Sequence, residues 1–116
     1  MRRNALTCLA LLLLGACPGP GPGAGPKAER GYTAATPVIA ALERHSELHG
    51  AYPDSLPQLV PALLSAAALE PPNEGYPLLY RRTETGYELR FRYSGPGMNH
   101  CTWTPESRAW KCSGYY

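Results

Sequence analysis

Between Ala5 and Leu14 the chain is almost wholly apolar and includes four consecutive leucines, Leu11 to Leu14. The run is too short to span a bilayer, which needs about 20 apolar residues. A glycine- and proline-rich stretch, Pro18 to Pro26, follows and carries no hydrophobic period. Val38, Ile39, Ala41, Leu42 and His45 then recur at helical spacing. Thr36 is placed to cap this helix, Pro37 suits its first position and Gly50 its C-terminal stop. A shorter second helix is expected after Asp54 or Ser55, with Leu56, Leu59, Val60, Leu63 and Leu64 on it and Pro61 limiting it. Pro71, Pro72, Asn73 and Gly75 make a turn-rich connection.

Beyond Gly75 the period changes to two. Tyr87, Leu89, Phe91 and Tyr93 alternate with Glu88, Arg90 and Arg92, which predicts a strand with one apolar and one charged face. Tyr76 to Arg82 precedes it across Thr83-Glu84-Thr85-Gly86. If paired residue numbers sum to 169, Tyr80 faces Leu89, Leu78 faces Phe91 and Arg81 faces Glu88, so apolar and opposite-charge pairs arise together. Arg90 and Arg92 then face solvent. After the turn Ser94-Gly95-Pro96-Gly97, His100 to Thr104 and Ala109 to Ser113 form a second hairpin. With numbers summing to 213, Cys101 faces Cys112 and Trp103 faces Trp110; a slip of one residue destroys both matches. The expected fold class is α+β: an N-terminal helix, plus a short second helix, packed on a small antiparallel sheet of two hairpins.

The N-terminal run has the order of an export signal: Arg2 and Arg3, an apolar segment, then small residues. Leu14-Gly15-Ala16-Cys17 resembles the lipobox of bacterial lipoproteins. That resemblance implies cleavage between Ala16 and Cys17 and lipidation of Cys17, where several acyl chains together hold a protein stably to a membrane. Pro18 stands where Gram-negative inner-membrane lipoproteins usually carry Asp, which favours the outer membrane in such a cell. The expected organisation is a signal over 1–16, a lipidated cysteine and tether over 17–32, and one domain over 33–116. The tether would space the domain from the membrane by up to roughly 28 Å.

Processing changes charge and cysteine accounting. Of eleven Lys and Arg, losing Arg2 and Arg3 leaves nine, against nine Asp and Glu, so the formal +2 belongs to the signal. Neutrality gives no sequence-level indication of nucleic-acid binding. Cys8 leaves with the signal and Cys17 carries lipid; Cys101 and Cys112 remain as a pair in an oxidising compartment, where a disulfide is expected.

From about Ala34 to Tyr93 the chain resembles the soluble part of type IV pilin-like proteins, above all the major pseudopilins of type II secretion. The matching residues are Leu42, then Gly50-Ala51-Tyr52-Pro53-Asp54-Ser55-Leu56 with Leu59, then Gly75-Tyr76-Pro77-Leu78-Leu79-Tyr80 and Gly86-Tyr87-Glu88-Leu89. The resemblance implies a helix packed on a small antiparallel sheet. The chain departs from that family in three ways. A lipobox and tether replace the long apolar N-terminal helix, Pro71-Pro72-Asn73-Glu74-Gly75 replaces the family's tryptophan-containing turn, and only Glu106 is acidic after Tyr93. Calcium takes six to eight oxygens, so the family's calcium site is not carried over.

Few residues suggest chemistry. His45, His49 and His100 could form a zinc-binding trio, but no H-E-x-x-H pattern accompanies them; the alternative is partly buried or surface histidines. Trp103 and Trp110 are a candidate ligand or partner surface, for a sugar or peptide, or an aromatic pair covering the core. No nucleophile motif or phosphate-binding glycine loop is present. The expected function is non-enzymatic and cofactor-free: a membrane-anchored envelope lipoprotein presenting a structural or protein-interaction domain. The alternative is an envelope lipoprotein binding a small molecule or metal through the tryptophans or histidines.

Overall fold

A computed structural model describes residues 21–115; the expected signal, Ala16 and Cys17 lie outside the described residues. Helix α1 spans Pro26–His49. Two short 3-10 turns follow, Leu56–Leu59 and Ala66–Leu69, and then strands β1 (Leu79–Arg82), β2 (Tyr87–Ser94), β3 (Met98–Thr104) and β4 (Ala109–Tyr115). The strands form one antiparallel sheet in the order β1-β2-β3-β4, so the class is α+β.

The helix begins eleven residues earlier than its apolar period predicts. Gly25 stands at its N-cap and Pro26 at its first position, where the missing amide costs nothing, and Glu29 lies in the first turn. Its buried stripe is Ala28, Gly31, Ala35, Val38, Ala41 and Leu42. The first half of that stripe is made of small residues, which a search for large apolar side chains passes over. Thr36 is therefore no cap: it sits mid-helix, and its hydroxyl donates to the Tyr32 carbonyl at 2.9 Å. Pro37 lies inside the helix and removes one backbone donor there. Gly50 ends the helix in the left-handed conformation, its amide bonded to the Ser46 carbonyl.

The expected second α-helix is replaced by the two 3-10 turns. Pro57 and Pro61 interrupt the amide ladder that an α-helix over this stretch would need. Neither Asp54 nor Ser55 caps it through its side chain; Asp54 instead pairs with Arg82 at 2.7 Å. Leu56, Leu59 and Leu64 still reach the core.

The first hairpin has the expected register, with Tyr80 opposite Leu89 and Arg81 opposite Glu88, the latter ion-paired at 3.0 Å. Strand β1 is shorter than expected and starts at Leu79, so Leu78 is buried beside the ladder without being part of it. The second hairpin is also in the expected register, Cys101 opposite Cys112 and Trp103 opposite Trp110. The hairpins are not separate: β2 pairs with β3 along six residue pairs, from Leu89–Trp103 to Ser94–Met98. One continuous meander results. Its inner face, with Tyr87, Leu89 and Phe91 fully buried, receives the helix and the leucines of the 3-10 turns.

Candidate functional site

The residues that converge most closely lie where the chain enters the helix. Gly31 packs on the Phe91 ring so tightly that a Cβ there would overlap it. This close approach brings Tyr32 edge-on to Phe91, with ring centroids 5.3 Å apart. The Tyr32 hydroxyl then reaches the cystine: it lies 3.3 Å from Cys112 Sγ and donates to the Gly23 carbonyl at 2.8 Å. The Gly23 amide donates to the Tyr93 hydroxyl at 2.9 Å. Gly23 has φ near 87°, and a Cβ on it would come within 2.8 Å of Cys112 Sγ. Only glycine suits both the conformation and the space. Lys27 adds a charge-assisted bond, its Nζ donating to the Ser94 carbonyl at 2.6 Å. The last part of the expected tether is thus fastened to the sheet at its cystine.

Cys101 and Cys112 are disulfide-bonded across β3 and β4, their Cα atoms 4.1 Å apart. The tryptophans lie beside them on the inner side, ring centroids 5.7 Å apart. Trp110 also touches Phe91 at 5.2 Å and Tyr32 at 5.3 Å. Both tryptophans are half-buried against the core. The Trp103 indole N–H and the Tyr87 hydroxyl are buried, and neither makes a hydrogen bond of good geometry. Burial raises the Tyr87 phenol well above its ordinary pKa, and the neighbouring Trp103 N–H opposes that rise. Burial also raises Tyr32, with the nearby Tyr93 and Glu29 adding to it, and pushes Tyr80 up to about 12.

The three histidines are not gathered. His45 and His49 have ring centroids 4.5 Å apart near the helix C-terminus, and His45 Nδ1 donates to the Ala51 carbonyl at 2.9 Å. His100 is on β3, with Nε2 2.9 Å from the Ser113 hydroxyl. Among the described residues, no three His, Cys, Asp or Glu side chains are placed to hold a metal ion.

Nothing in the large apolar spacing marks Tyr32, Gly23 or the Tyr93 hydroxyl, and the expected tether runs as far as Tyr32. Their signal was present: Ala28, Gly31 and Ala35 continue the spacing of Val38 and Leu42 toward the N-terminus, in steps of three and four.

The fold and this corner define an α+β domain: one long helix on a four-stranded antiparallel meander, with its N-terminal approach clamped over an inter-strand cystine. Comparison with protein-family models, curated proteins and solved structures gave no match. No helix among the described residues is long and apolar enough to cross a membrane.

Proposed function

We propose that the protein is an envelope lipoprotein, anchored through Cys17, whose small pilin-like domain serves as a non-catalytic structural or protein-interaction module. The observation that carries this reading is the cystine Cys101–Cys112, set against the segment that leads back to Cys17. Disulfides persist in oxidising compartments outside the cytoplasm. An export signal and a cystine are independent features of one chain, and they favour the same compartment.

Support for the pilin-like character comes from Gly50 to Leu56, the best-matching part of that resemblance. This segment joins helix to sheet: the Pro53 carbonyl accepts from the Tyr80 hydroxyl at 2.6 Å, and the Tyr52 hydroxyl donates to Glu43 at 3.0 Å. Leu56 is buried in the core. Trp103 and Trp110 are engaged with Phe91 and Tyr32, which favours the structural reading of the pair over a ligand platform.

Intact-mass spectrometry of protein purified from membranes tests the anchor. The expected mass is that of a chain starting at Cys17 with diacylglyceryl and acyl groups attached, and Cys17→Ala should release the protein or leave its signal uncut. An unmodified Cys17 in a processed chain would overturn the assignment.

A further inference from the structure

The chain downstream of Cys17 is neutral, but folding segregates its charge. Strand alternation puts Arg81, Glu88, Arg90, Arg92 and Lys111 on the face of the sheet opposite the helix. That open face carries four of the nine basic residues and one of the nine acidic ones, a net +3; the other five basic and eight acidic residues give −3 elsewhere. Glu88 is committed to Arg81. Arg90 and Arg92 follow one another along β2, and Lys111 lies across β3 from Arg90 through Thr102. Among the described residues none of these three makes an ion pair. The Arg90 guanidinium donates to the Thr102 hydroxyl, and that of Arg92 lies over the Tyr76 ring at 5.7 Å. Neither contact neutralises the charge.

The attachment of the chain sets where this face can go. Gly21 is already part of the fold, its carbonyl accepting from the Ala24 amide at 3.1 Å. Cys17 is four residues upstream, which at full extension allows about 14 Å. That is half the spacing expected when the whole glycine–proline stretch was counted as tether. The chain leaves on the helix-facing side of the edge strand β4, beside Cys112, and the next residue along that strand, Lys111, belongs to the open face. A domain held this close to a bilayer lies within the range of its surface potential, which decays over about 8 Å at physiological salt.

Resting on the lipoprotein reading above, we propose that the open face of the sheet, through Arg90, Arg92 and Lys111, docks on the anionic lipid head groups of the membrane that holds Cys17. The occupant is a lipid surface because charge complementarity and the short reach from Cys17 both select it. The domain lies sheet-down, and the helix, whose three acidic and three basic residues balance, faces away.

The test uses the full chain purified from membranes and reconstituted into phosphatidylcholine vesicles, with or without about one part in three of phosphatidylglycerol. Spin labels at Thr102→Cys on the open face and Glu47→Cys on the helix report their distance from head-group-chelated nickel. On anionic vesicles the 102 label should lie near the head groups and the 47 label far from them. The difference should vanish on neutral vesicles, in high salt and in the triple variant Arg90→Gln/Arg92→Gln/Lys111→Gln, at about fivefold weaker docking per charge removed. Arg90→Lys/Arg92→Lys should keep it, which separates lost charge from lost fold. Equal positions of the two labels on anionic vesicles, or an undiminished difference in the triple variant, would overturn the proposal. So would displacement of the face by soluble polyglutamate at equal charge concentration, which would reassign it to an acidic protein. The mass of Cys17 in the same sample reports on the anchor separately. Should Cys17 prove unmodified, the chain is added to the vesicles from solution, and binding that does not depend on phosphatidylglycerol rejects the docking face on its own.

Discussion

Toward its C-terminus, helix α1 meets the sheet through Val38 and Leu42, with Leu56 and Leu59 filling in around Tyr87 and Leu89. Toward its N-terminus the same helix meets the same sheet through Ala28, Gly31 and Ala35, and the backbone closes directly onto Phe91. The first contact is stabilised by large apolar side chains removed from water. The second depends on proximity: small residues let the helix approach, and hydroxyls, a cystine and a lysine then bind the incoming chain. Burial area dominates one end and geometric fit the other, so the two ends should respond oppositely to added and removed volume.

Leu42→Ala should have the largest effect. It deletes a fully buried side chain, so a loss of about 2–5 kcal/mol is expected in urea denaturation. A loss well under 1 kcal/mol would mean that this end is not governed by burial. The double change Cys101→Ser/Cys112→Ser comes next. Eleven positions separate the cysteines, and the chain-entropy estimate for so short a loop is roughly 3 kcal/mol. Hydrogen exchange should then show the β3–β4 hairpin and the Gly23 amide loosened more than residues Val38–His49. Uniform loosening would erase the distinction between the ends.

Gly31→Ala sharpens it further. In an exposed helix the change would stabilise by up to about 1 kcal/mol; against Phe91 it should destabilise by about 1–3 kcal/mol through overpacking. A more stable variant would show that the close approach is not needed.

The smallest effect concerns pH. Tyr80 has a folded-state pKa raised from 10.0 to about 12, chiefly by burial. A group raised on folding stabilises fully below its unfolded value and loses that contribution as pH rises, here between about 10 and 12. The loss by pH 11 should be under about 1 kcal/mol once solvent screening is allowed for, and Tyr80→Phe should flatten this part of the profile. Stability that increases over this interval would contradict the burial of the phenol.

The same contrast explains what could be read from the sequence. The hairpin registers were legible because each rested on a coincidence that a one-residue slip destroys: Arg81 with Glu88, and Cys101–Cys112 together with Trp103–Trp110. Gly50 was legible because a left-handed stop has few other residues to choose from. The helix start was not legible. Alanine and glycine carry little hydrophobic signal, and the Thr36-Pro37 pair imitates a helix beginning when it sits in the middle of one. The corner around Gly23 was hidden because its contacts link residues 70 and 80 positions apart. The open face was hidden for a different reason: the residue counts balance, and only pairing across three strands puts the cations on one side.

The clamp at Gly23 also sets an order of events during synthesis. A chain emerges from its N-terminus at roughly 5–20 residues per second. Helix α1 is therefore complete well before Phe91 and Tyr93, the residues it packs on, and before Cys112, the second cysteine of the clamp. The sheet can grow strand by strand, since each pairs with its sequence neighbour and the loops are short. Helix docking must wait for the sheet, and the cystine must wait for β4, the last strand of the meander. A closed cystine therefore marks a molecule in which β3 and β4 have both been made and paired.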